Sequence, residues 1–304
     1  MNNLRSLNVS NSLLMPPNKY TSMVLQLTKL RNLTSLNVSR TGFNAVSLEI
    51  VVDNLCKLEM LDVSCTKVGE ISCLRKLKDC LKKLNLYGLT FAPNPEVLHD
   101  AVMVLIELRN LQHLDISDEK DLQHPFDMLN PNQGKIPAIK FLKSCGEKLP
   151  LLKSLDLSGK CQEHFITIIH INGNLVSDPK SPECFSLVLG KEDLRNDLDS
   201  AMICVKDFID SHNHLRFLGL SLTNLCKADI FGTKRSPSEK CLPEYERYCL
   251  PNLVVSGNGD ERQIIESLKR YTNRSSYVQK TFYNLFQLTQ GYVQPRVDII
   301  EVSD

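Results

Sequence analysis

The phrase LxxLxL recurs seven times along the 304 residues, as Leu4-Leu7-Val9, Leu33-Leu36-Val38, Leu58-Leu61-Val63, Leu81-Leu84-Leu86, Leu111-Leu114-Ile116, Leu152-Leu155-Leu157 and Leu215-Leu218-Leu220. The first five starts are separated by 29, 25, 23 and 30 residues. A unit of that length holds one short strand and one helix; it cannot bury its apolar face alone and must stack on its neighbours. The chain therefore reads as an α/β leucine-rich-repeat solenoid, with short parallel strands on the concave side and helices on the convex side. An extended concave sheet is a binding surface, so the pattern predicts a protein partner without naming one.

One repeat shows how the phrase makes a surface. In LEMLDVSCTKV, Leu58, Leu61, Val63 and Val68 point inward, while Met60, Asp62 and Ser64 alternate with them and face the concave side. Equivalent outward positions carry Asn8, Asn37, Asp62, Asn85, Asp115, Asp156 and Gly219, followed two residues later by Ser10, Ser39, Ser64, Tyr87, Ser117, Ser158 and Ser221. Two readings of this ladder stand side by side. It reads a partner protein, with Asn37, Asp62, Lys83, Asn85, Tyr87, His113, Asp115, Asp156 and Phe217 as the candidate contact residues, or it hydrates the strands and bonds the local backbone.

Apolar residues at three and four spacing predict helices over Met23–Leu30, Leu48–Leu55, Val97–Leu108 and Ile136–Leu149. The pattern then degrades, with gaps of 41 and 63 residues before the last two phrases. The predicted repeat domain is 1–227, with an irregular insert at about 161–190. Within it, Phe165–Leu189 fits a hairpin, a disordered excursion or an artefact of gene prediction. Helical pattern returns over Leu194–Ser211. A polar, proline-bearing stretch predicts a linker over 228–254. Beyond it, at 255–304, Asp260 with Gln263 and Ser276 with Gln279 have capping-box spacing and open two amphipathic helices, the start of an armadillo-like helical domain. Their apolar faces (Ile264, Leu268, Phe282, Phe286) look unpartnered.

Charge and composition narrow the function classes. With 36 basic and 35 acidic residues, the chain has no basic excess of the kind that nucleic-acid binding displays. The longest apolar runs are far short of the roughly 20 residues that span a bilayer. The first residues, MNNLRSLNVS, carry no secretory leader pattern and enter a repeat at once, as an internal cut would. Eleven scattered cysteines, an odd number, read as reduced thiols of the cytosol or nucleus.

No reaction chemistry is legible. His113 faces outward near Asp115, and Cys161 lies three residues from His164 with His170 beyond, but no CxxC or HxxxH completes a metal site. Gly257-Asn258-Gly259 lacks the lysine of a phosphate loop and reads as a turn into the Asp260 cap. Neither a cofactor nor an enzymatic activity is expected.

The run from Val255 through SGNGDERQIIESLKRY to Tyr271, continuing to FYNLFQLT at Thr289, resembles the junction between repeat and armadillo-like domains in the Zyg-eleven family. LEMLDVSCTKV, LRNLQHLDISDEKDL and LPLLKSLDLSGK resemble that family's repeats in order and spacing. The resemblance covers nearly the whole chain apart from Phe165–Leu189. It implies a substrate receptor of a cullin-two ubiquitin ligase, pairing with the elongin adaptor and reading exposed small N-terminal residues such as glycine. In that family the adaptor box precedes the repeats and the N-terminal-residue pocket lies in the armadillo-like domain, so this chain is expected to start after the one and end before the other. A loose adaptor-box pattern also occurs inside it, at Leu222, Cys226 and Ile230, competing with a core role for Leu225 and Cys226 at the end of the seventh repeat. The alternative to a ligase receptor is a cytosolic repeat scaffold for another partner.

Overall fold

A computed structural model describes residues 3–12, 17–91, 94–118, 138–159, 202–223, 225–227, 229–231 and 253–289. Eight three-residue strands stand in chain order in one parallel sheet: β1 (Ser6–Asn8), β2 (Ser35–Asn37), β3 (Met60–Asp62), β4 (Lys83–Asn85), β5 (His113–Asp115), β6 (Ser154–Asp156), β7 (Phe217–Gly219) and β8 (Val254–Ser256). The pairing is in register throughout. Leu7, Leu36, Leu61, Leu84, Leu114, Leu155 and Leu218 align rung on rung. From Leu36 onward each is at most 2% exposed. This continuous leucine row is the spine of the solenoid, and the leucine-rich-repeat architecture read from the sequence is what the chain adopts.

The convex side is built from α1 (Pro17–Leu27), α2 (Ala45–Asn54), a 3-10 turn at Ser72–Leu77, α3 (Pro95–Glu107), α4 (Ala138–Cys145) and α5 (202–211). Two of these helices are started by local caps. Asn44 caps α2 by accepting from the Ser47 amide at 2.9 Å, and Asn94 caps α3 by accepting from the Glu96 amide at 2.8 Å, with Pro95 in the first turn. The 23-residue repeat is too short for a full helix, and there the 3-10 turn takes its place, burying Leu74 and Leu77.

The predicted insert at about 161–190 and the candidate ligands Cys161, His164 and His170 lie outside the described residues. Two expectations are corrected. The linker predicted over 228–254 does not run up to a domain boundary at 255, because Val254–Ser256 pairs with β7 as an eighth rung. The phrase had failed there: Val255 stands level with Leu218, and the next position, where a last leucine belongs, is Gly257. A side chain at Gly257 would collide with Gln263 and Cys226. The internal adaptor-box reading also falls, since Leu225 and Cys226 are fully buried and Ile230 is 8% exposed. The Cys226 thiol lies within hydrogen-bond distance of two acceptors, the Thr223 carbonyl at 3.1 Å and Asn258 Oδ1 at 2.7 Å. No partner can reach them.

After β8 come α6 (Glu261–Arg270) and α7 (Ser275–Thr289), packed on each other, with α6 also against β8. Asp260 caps α6 as predicted, accepting from the Gln263 amide at 2.9 Å. Gln263 does not close a reciprocal box; its side chain accepts from Gly259 and donates to the Cys226 carbonyl. Ser276 is not a cap either, because α7 already begins at Ser275 and its first described backbone bond runs from Val278 to the Arg274 carbonyl. The apolar faces are only half unpartnered. Ile264 and Tyr277 are fully buried, whereas Phe282 and Phe286 remain 56% and 55% exposed.

The repeat phase predicts a contrast between neighbours. Leu61→Ala, in the spine, costs about 2–5 kcal/mol, while Met60→Ala, one residue away and 40% exposed, changes stability by less than about 0.5 kcal/mol. Urea denaturation of the two variants checks this, and equal effects would contradict the phase.

Candidate concave-face site

The Asn/Asp ladder first serves its own backbone. Asn8, Asn37, Asp62, Asn85, Asp115 and Asp156 each accept, through Oδ1, the amide two residues on, at 2.9 to 3.1 Å. These bonds turn the chain sharply out of each strand, which is why a short side chain with a carbonyl-type oxygen recurs there. One residue past the bonded amide, the backbone adopts left-handed φ at Asn11, Arg40, Cys65, Gly88 and Gly159. The backbone-bonding reading of the ladder therefore holds at all six Asn and Asp rungs.

The second terminal atom of each rung, Oδ2 in the aspartates and the donor Nδ2 in the asparagines, is left for other partners, and toward the C-terminal end the chain supplies those partners itself. Residues of α6, α7 and the turn between them descend onto the ladder. Tyr271 donates its hydroxyl to Asp156 Oδ2 at 2.8 Å and lies within hydrogen-bond distance of Ser158 and Ser256. Arg274 donates to Asp115 Oδ2 at 2.9 Å and to the Ser117 hydroxyl at 2.8 Å, with its guanidinium 3.6 Å above the Tyr87 ring. Tyr277 donates to the Asp118 carbonyl. Arg270 sits 3.4 Å over the Phe217 ring. Around them, the Ser221 and Ser267 hydroxyls meet at 2.6 Å, and Ser267 also donates to the Gly257 carbonyl.

Two glycines make the fit possible. At Gly219, where earlier rungs carry Asn or Asp, a Cβ would collide with the Asp156 carboxylate and the Tyr271 hydroxyl. At Gly159, whose φ is +75°, a Cβ would collide with the Asp118 carbonyl and the Tyr277 hydroxyl.

The electrostatics follow from burial. Asp156 is 5% exposed and in register with Asp115. Burial, then the Asp115 charge, push its carboxyl up to about 6, and only Arg274 and the Ser158 bonds oppose them. Arg274 loses solvation in the same place, but the charges of Asp115 and Asp156 outweigh that loss and hold it firmly protonated. Burial and then the Asp156 charge push both tyrosine hydroxyls up, so they remain donors. The result is a closed network in which two neighbouring carboxylates share one guanidinium and one phenol.

The nine predicted contact residues thus divide. Tyr87, Asp115, Asp156 and Phe217 do face the concave side, but they are not an open reading surface: they hold α6 and α7 in place, and Tyr87, Asp156 and Phe217 are at most 5% exposed. Asn37, Asp62, Lys83, Asn85 and His113 line the open groove, about 450 Å³ in volume, and Asp115, Asp156, Phe217 and Arg270 form its C-terminal wall. His113 is held toward its neutral form by burial and by Lys83 and Lys153. The sequence reading missed Arg270, Tyr271, Arg274 and Tyr277. Tyr271 was legible only as one apolar position of α6, and the hint that something enters the ladder was the lone glycine at 219.

Residues 49–164 match a family model described as Zer-1-like, leucine-rich repeats. The chain is also 24% identical, over 251 residues, to the protein zer-1 homologs of Homo sapiens and Pongo abelii. Both matches agree with the resemblance to the Zyg-eleven family that the repeats and the 255–289 run carry. The aligned region covers 82% of this chain and 26% of each relative, so the chain spans about a quarter of their length. Among solved structures, internalin C2 of Listeria monocytogenes is similar at 14% identity and a TM-score of 0.40, over 83% of this chain and 69% of that one. That similarity adds nothing to the fold, which the eight-stranded parallel sheet establishes directly.

Arg274→Ala removes the shared guanidinium and leaves the Asp115 and Asp156 charges side by side. Hydrogen bonds to charged groups contribute about 1.5–3 kcal/mol each, so α6 and α7 should open locally far more often. Hydrogen exchange should show faster amides over residues 261–289 and unchanged amides in β2 to β4. Uniform acceleration along the whole chain, or none, would contradict the arrangement.

Proposed function

We propose that the protein is the substrate-receptor subunit of a cullin-RING ubiquitin ligase and performs no chemistry itself. The carrying observation is the similarity to the zer-1 homologs over 82% of the chain, together with the role that the resemblance to the Zyg-eleven family implies. In this reading the solenoid is the arm between an adaptor-binding end that takes elongin and cullin-two and an armadillo-like end, begun by α6 and α7, that reads N-terminal glycine on substrates. In this reading the protein works in the cytosol or nucleus, where its scattered cysteines stay reduced. The docking of α6 and α7 on the ladder supports the reading in one respect. An arm that presents substrate to a ligase must hold its two ends in a fixed relation, and buried charged and hydroxyl contacts do that better than a tether.

The test is immunoprecipitation of the full-length product from cells, followed by detection of elongin and cullin-two and of a glycine-ended reporter. Recovery of both subunits, with loss of reporter turnover when the protein is depleted, is expected. Recovery of other partners without either subunit would favour a repeat scaffold.

A further inference from the structure

Three rungs of the ladder carry aspartate, and the chain itself shows what two of them bind. In Asp62, Asp115 and Asp156 alike, Oδ1 accepts the amide of the serine two residues on. At Asp115, Oδ2 takes the Arg274 guanidinium at 2.9 Å, and at Asp156 it takes the Tyr271 hydroxyl at 2.8 Å. At Asp62, Oδ2 has only a long contact of 3.4 Å from Asn85 Nδ2. Among the described residues, no side chain of α6, α7 or the turn between them bonds to Asp62; Arg274 acts on it only through its charge. Beside it Met60 is 40% exposed, an apolar surface of the kind along which an arginine stem lies. Lys83, two residues before Asn85 on β4, is exposed and forms no ion pair among the described residues.

We propose that the open half of the concave face is a docking site for an arginine-bearing segment of a partner protein, whose guanidinium takes Asp62 Oδ2 as Arg274 takes Asp115. The occupant is an arginine because the equivalent rung holds one, and because a half-buried carboxylate with one good acceptor atom left binds a charged donor most strongly. Burial raises the Asp62 pKa despite the Ser64 hydrogen bonds and the charge of Arg274, and a guanidinium bonded directly to Oδ2 would add to that compensation. Lys83 gives the site polarity: an acidic residue near the arginine pairs with it and fixes the direction of the segment. This surface is distinct from any N-terminal-glycine pocket and stands whether or not the protein serves a ligase.

The intact chain, labelled with nitrogen-15, is titrated with N-acetyl-arginine amide, with the lysine analogue, and with the citrulline analogue, which keeps the shape and loses the charge. Saturable amide shifts at Ser39, Asp62, Ser64 and Asn85 are expected with arginine, at least about tenfold weaker with citrulline, and weaker with lysine, which lacks the planar fork. Asp62→Asn keeps the Oδ1 acceptor for Ser64 and should weaken arginine binding about tenfold. If that variant disturbs amides beyond β3 and β4, Met60→Lys, at an exposed position, replaces it and should weaken binding through like charge. Equal shifts with arginine and citrulline, shifts confined to the Asp115 region, or affinity unchanged in the informative variant would overturn the proposal.

Discussion

Parallel, in-register pairing places like on like. Each three-residue strand bonds to the next with no slip, so whatever stands at one position of a repeat is stacked on its counterpart in the neighbours. On the inner side this is favourable, and it produces the leucine row that the solenoid is built around. On the outer side it is a liability wherever the counterparts carry the same charge. Asp115 and Asp156 are register partners, and like charges directly opposite each other on a sheet repel. The chain eases that conflict with its own C-terminal helices: Arg274 places one positive charge beside the pair, Tyr271 donates to Asp156 and Tyr277 to the Asp118 carbonyl, and Gly159 and Gly219 leave them room.

From that constraint the division of the concave face follows. Where two aspartates stack, the chain supplies the counter-charge and the groove is closed. Where asparagine stands next to aspartate, as with Asn37, Asp62 and Asn85 on β2, β3 and β4, no second charge demands neutralisation and the groove stays open. The helical unit is thereby fixed to the repeats by charge and hydrogen bonding as much as by apolar burial. Its outer aromatic face, with Phe282, Tyr283 and Phe286 each more than half exposed, stays on the side away from the ladder network.

Much of this was legible in the sequence because a repeat states its own register. From Leu33 onward the phrases mark leucines that are buried, while Leu4 in the first phrase stays 41% exposed, and the phrases place the Asn, Asp and Ser ladder on the concave side with the correct alternation. What could not be read was what lies against the ladder. Arg274 sits in a turn between two helices with no periodic signal, and its partner Asp115 is 159 residues away in sequence. Nor could β8 be read, since its pairing comes from the sheet edge left by β7 while its own residues, Val255 and Gly257, abandon the leucine code. The second capping box was a spacing without a cap, because a helix start is decided by where the preceding turn ends, and here Arg274 and its docking set that point.

The central claim is that the tyrosines of the helical unit are seated in the concave ladder. It is tested most directly by nuclear Overhauser contacts in a deuterated chain with protonated tyrosine and glycine. Cross-peaks are predicted between the Tyr271 ring and the Gly219 α protons, and between the Tyr277 ring and those of Gly159. Tyrosine rings that show contacts only within their own helical unit would contradict the account.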